Sequence, residues 1–122
     1  MAESGSGDPR STNADLAALP PELAKQSISQ TSVILPHDAA LQAIAHVTQS
    51  GRRLENWDGW VRFRDGTRAK SLTHGGSFAL PRDPARAAQT ATAAIRRAQM
   101  MWARNPEYPN ASLFFGLTFG PP

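Results

Sequence analysis

Trp60 to Lys70 reads WVRFRDGTRAK, and the turn inside it decides how the middle of the chain folds. Asp65-Gly66, set between residues that alternate apolar and charged, is the strongest hairpin signal in the sequence. Two loop lengths compete for it. A three-residue loop, Arg64-Asp65-Gly66, with Gly66 left-handed, pairs Phe63 with Thr67, Arg62 with Arg68, Val61 with Ala69 and Trp60 with Lys70. One face is then apolar and the other carries Trp60, Arg62, Arg68 and Lys70. A two-residue loop slips the register by one and mixes charged with apolar side chains on both faces. The three-residue loop is therefore preferred.

Working outward, Thr67 to about Leu72 forms the return strand. Gly75-Gly76 supplies a second reversal and Ser77 to Leu80 a third antiparallel strand, ended by Pro81, which offers no ladder donor. Asp83-Pro84 then opens a helix: a capping carboxylate stands before a proline whose missing N–H costs nothing at the first helical position. Ala88, Ala91, Ile95, Ala98 and Trp102 step by three and four along it to about Arg104, where Asn105-Pro106 stops it. Leu113 to Phe119 (LFFGLTF) is an aromatic-rich buried strand, with Gly116 marking a bulge or a close approach to the alanine-rich helix.

On the N-terminal side, Ser32 to Leu35 is a short β-branched strand closed by Pro36. Asp38 caps a helix through LQAIAHVTQS with Leu41, Ile44 and Val47 or Thr48 on one face, and Gly51 provides its left-handed stop. Residues 1–13 hold no periodic apolar positions and are expected to stay unfolded. Leu16, Leu19 and Leu23 recur at helical spacing over 15–26, interrupted by Pro20 and Pro21. That piece is a docking segment for a partner or a cover for its own domain. The fold class expected is α+β, with a mostly antiparallel sheet of four to five strands and two helices on one face, in the order β-α-β-β-β-α-β. It forms one domain over 31–122, behind a flexible arm over 1–30.

Length and composition exclude more than they assign. A chain of 122 residues supports one core. The absence of cysteine removes disulfides, thiolate nucleophiles and thiolate-rich zinc sites. No stretch is long and apolar enough to span a membrane, and no leader-like segment opens the chain, so a cytoplasmic protein without membrane partners is expected. His37, His46 and His74 lack the spacing and the acidic companions of a ligand set, so no metal or cofactor is expected. His74-Gly75-Gly76-Ser77 has the look of a glycine-rich oxyanion loop, but no nucleophile elbow accompanies it. A turn explains the glycines better, and no catalytic residue is assigned.

The charge is unevenly spread: residues 1–30 carry a net −2 and the remainder +5. Such a body attracts acidic partners. The candidate binding residues are Trp57, Trp60, Arg62, Arg64, Arg68 and Lys70, an aromatic and basic hairpin whose residue types dominate interface energetics. The same charges also serve as a solvated edge that resists edge-to-edge pairing. The leading expectation is a non-catalytic binding module for a protein partner, of the accessory, inhibitor or immunity type. A nucleic-acid binder that stacks bases on Trp60 is the alternative. An enzyme is the third, and it requires His74, Asp58 or Glu55 to meet in one pocket.

Overall fold

The computed structural model describes residues 14–76 and 80–121. The expected arm over 1–13 and all but Leu80 of the expected strand over 77–80 lie outside the described residues. A short helix, α1 (Pro21–Ala24), precedes β1 (Val33–Leu35), α2 (His37–Gln49), β2 (Leu54–Phe63), β3 (Arg68–Gly76), α3 (Pro84–Arg104) and β4 (Ala111–Phe119). The fold is α+β: a four-stranded antiparallel sheet in the order β1-β4-β2-β3, with the helices packed against it.

The alternation of each strand decides which face the helices cover. Leu113, Phe115, Leu117 and Phe119 of β4 point into the core with Val33 and Leu35 of β1 and Trp57 and Val61 of β2. They meet Ala39, Ala40, Ala43, Ile44 and Val47 of α2 and Ala91, Ile95, Ala98 and Trp102 of α3. Alanine on both helices brings backbone close to sheet, so the large strand residues supply most of the buried area. Phe115 alone, fully buried, contributes about 2–3 kcal/mol relative to exposure.

The hairpin has the register expected of a three-residue loop. Trp60 pairs with Lys70, Val61 with Ala69 and Arg62 with Arg68; the Phe63 N–H donates to the Thr67 carbonyl at 2.8 Å, and Gly66 is left-handed at φ 93°. Asp65 accepts from both the backbone N–H and the hydroxyl of Thr67, at 2.9 and 2.6 Å.

Several boundaries differ from the expectation. Gly75-Gly76 is not a reversal: the two glycines end β3, paired with Asp58 and Trp57. Residues 71–74 stand opposite Gly59 alone as a wide bulge, so β3 continues past it to pair with β2 as far as Trp57, and the hairpin needs no second turn there. Asp38 is not the cap of α2. The helix starts at His37, two residues earlier than such a cap requires, behind extended Pro36, and Asp38 is exposed and bonded at 2.7 Å to His37 Nδ1. Gly116 makes no bulge and faces away from α3, because a Cβ there would meet the Asp58 carboxylate and the Trp60 indole on the open side of the sheet. In α3 the inward stripe runs through Ala87, and Ala88 is only partly buried.

The chain before β1 belongs to the packed unit. Pro20 and Pro21 break the leucine-bearing segment as expected, into a helical turn over 14–17 and α1. Leu19 and Leu23 lie in the core. Asp15, 3% exposed, is bonded to Arg52 Nη2 at 2.8 Å and accepts from the Phe119 N–H at 3.3 Å. Ile28 donates its N–H to the Ile34 carbonyl on the outer edge of β1. Among the described residues no helix is long and apolar enough to cross a membrane.

Candidate interaction surfaces

The hairpin residues fall on two sides of the sheet. Trp57 is a core residue, 9% exposed, with its ring centroid 6.0 Å from that of Phe115. It packs into the core, on the side of the sheet opposite Trp60. Trp60, Arg62, Arg68 and Lys70 share the open face, and Arg64 sits exposed in the turn.

Trp60 is already engaged. Its indole N–H donates to Asp58 Oδ1 at 3.1 Å, and the Lys70 ammonium lies 5.7 Å over the ring while pairing with Asp58 Oδ2 at 3.1 Å. A cation over the ring favours that arrangement and occupies a face on which a base would stack. Arg68 donates to the Ile28 carbonyl at 2.6 Å. Because Ile28 lies against β1 and Arg68 belongs to β3, opposite edges of the sheet, this bond ties the segment before β1 across the open side. Arg62 and Arg64 border an open depression of about 450 Å3 together with Ser112 and Phe114.

A second surface escaped the sequence reading. Helix α3 carries Arg86, Arg96, Arg97 and Arg104 and no acidic residue. No carboxylate among the described residues lies within ion-pair distance of these guanidinium groups. Met100 and Met101, 58% and 49% exposed, stand between them, and Leu72 on the β3 bulge is 87% exposed. The sequence signal for it is a methionine pair inside a helix without acids.

Beside Met101 a cleft of about 390 Å3 opens between α3 and the bulge. Its helix side is shallow because Ala94 and Ala98 project nothing beyond Cβ, and its floor reaches Trp57. Thr73 and His74 form the far wall. The bulge is pinned from a distance. The Ser71 hydroxyl donates to Glu107 at 2.7 Å and the Leu72 N–H at 2.9 Å, while the His74 N–H donates to Ser71 Oγ at 2.9 Å. Burial opposes the charge on Glu107, but the Ser71 and Leu72 hydrogen bonds and nearby His74 outweigh it and hold the carboxyl below its ordinary value. His74 sits edge-on to Trp102, ring centroids 6.2 Å apart.

The polar groups needed for an acid–base site are not gathered. Asp58 lies on the open side with Trp60, His74 on the α3 side, and Glu55 beside Arg53 at 3.8 Å. Among the described residues no three of His, Asp and Glu come close enough to hold a metal ion. No family model, curated protein or solved structure matches the chain.

Proposed function

We propose that this chain is a non-catalytic binding module for a protein partner, an accessory, inhibitor or immunity-type factor, and that it engages that partner through the outward face of α3. One observation carries the reading: two adjacent methionines, 58% and 49% exposed, set among arginines on a helix with no acid of its own. Thioether side chains adapt to a facing surface at little cost, and methionine and arginine are enriched at protein interfaces. The hairpin face supports the reading less directly, since Trp60 is occupied by Asp58 and Lys70.

Nucleic acid is the second reading, favoured by exposed Arg62, Arg64 and Arg68, for which no carboxylate partner lies among the described residues. Its stacking platform is what the geometry weakens. The two are separated by immobilising the wild type, Met100→Glu/Met101→Glu and Arg62→Ala/Arg68→Ala/Lys70→Ala in lysate with and without nuclease. The expected result is a protein retained by the wild type and the hairpin variant and lost from the methionine variant. Retention that disappears with nuclease, joined to oligonucleotide binding that falls steeply with salt, would replace this reading with the nucleic-acid one.

A further inference from the structure

Resting on that reading of α3, we propose that the cleft between α3 and the 71–74 bulge is the specificity pocket of the surface. It receives one apolar side chain from an acidic segment of the partner, whose carboxylates pair with Arg96, Arg97 and Arg104.

Charge selects the occupant. Arg97 borders both the cleft and the depression around Met100, and Arg96 and Arg104 border the latter. A second copy of this chain would bring the same arginines against them, and like charges facing each other in an interface cost affinity. An acidic segment neutralises all three. The shape of the cleft adds the apolar requirement. Met101 closes it on one side, Ala94 and Ala98 leave its helix wall low, and Trp57 forms a floor only 9% exposed. A side chain entering it is buried at the centre of the contact, with the arginines as rim, which is the arrangement in which a single anchor dominates affinity. A lipid surface would rest on the methionines without reaching that floor. Among the described residues lining the cleft a nucleic acid would find no open aromatic face, because Trp57 is 9% exposed and His74, 8% exposed, stands edge-on to Trp102.

The walls are built to keep their shape. Gly59 lets the bulge lie close over β2, since a Cβ there would come within 2.7 Å of the His74 carbonyl oxygen. Ser71 and Glu107 hold the bulge from the side. A partner therefore meets a formed cleft and loses less entropy in ordering it.

The probe is a synthetic helical peptide of glutamate, alanine and leucine with leucines at i, i+3, i+4 and i+7, titrated by fluorescence anisotropy against the full chain. Controls are a scrambled peptide of the same composition, phosphatidylserine vesicles and a mixed-sequence oligonucleotide. The amphipathic peptide is expected to bind the wild type, with the scrambled peptide weaker by roughly tenfold or more. Arg97→Glu/Met101→Glu should lose at least as much. Ala93→Trp, at an exposed position on the rim of the cleft, should block entry and lose roughly tenfold without touching the core.

If Ala93→Trp binds like the wild type while Arg97→Glu/Met101→Glu fails, the pocket is refuted and the α3 surface stands. If neither variant weakens binding, the inference and the functional reading fall together. Equal binding of the scrambled peptide would reduce the surface to bare charge attraction and overturn the pocket. Tighter binding to vesicles or oligonucleotide than to the peptide would overturn it in favour of that ligand. No binding of the peptide even at low salt would also overturn it.

Discussion

The bulge in β3 lies where it does because Gly59 has no side chain. A methyl group at this position would meet the His74 carbonyl, and backbone on the opposite side cannot swing away as a flexible side chain would. Gly59→Ala is expected to cost about 1–3 kcal/mol by overpacking, read as a lower urea midpoint. A neutral result would show that the bulge can move off β2. Glu107 holds the same bulge through charge. Its carboxyl is depressed in the folded protein, so its bonds to Ser71 and Leu72 add stability above the ordinary carboxylate range and lose it as the pH falls through the lowered value. Glu107→Gln should therefore lower Tm at pH 7, and the difference from wild type should be smaller at an acid pH below the ordinary carboxylate range. An equal difference at both would assign the loss to packing instead. Neither residue announced its role in the sequence. Asp58-Gly59 reads as a turn, and Glu107 acts on residues 35 and 36 positions away in the chain.

Elements whose signals are local were legible. The hairpin register follows from one turn and one alternation, and α3 from its Asp83 cap, whose side chain accepts from the Arg86 N–H at 3.0 Å, and from its apolar steps. What could not be read was which way non-local contacts would turn a residue. Trp57 resembles Trp60 in the sequence NWDGW, yet Trp57 is placed by Phe115 of β4 and Trp60 by Asp58 and Lys70. Likewise the expected reversal at Gly75-Gly76 gave way to a bulge that only contacts with Glu107 and β2 explain. The inward face of α3 has a direct test. Ala91 is fully buried against the sheet, so Ala91→Leu should overpack and cost about 1–3 kcal/mol. A wild-type urea midpoint for this variant would mean that α3 stands off from the sheet.

The whole molecule closes late in the chain. Strand β4, the last element, inserts between β1 and β2, so the sheet is complete only when the C-terminal strand arrives. The same strand gathers the N-terminal segment. Asp15 accepts from the Phe119 N–H and pairs with Arg52, whose Nε donates to the Gly120 carbonyl at 2.8 Å. Asp15→Ala strands a mostly buried guanidinium and is expected to cost about 3 kcal/mol, the lower end for breaking a buried pair. Chemical denaturation checks this, and an unchanged midpoint would detach residues 14–24 from the folding unit. With its N-terminal segment tied in this way, the body leaves two faces exposed: the open side of the sheet with Arg62, Arg68 and Lys70, and the side of α3 with Met100 and Met101. The most direct measurement is a backbone amide NMR titration of the full chain with the acidic amphipathic peptide. Shifts confined to residues 71–74 and 93–104 are the expected result, whereas shifts centred on 60–70 would move binding to the hairpin and contradict the account.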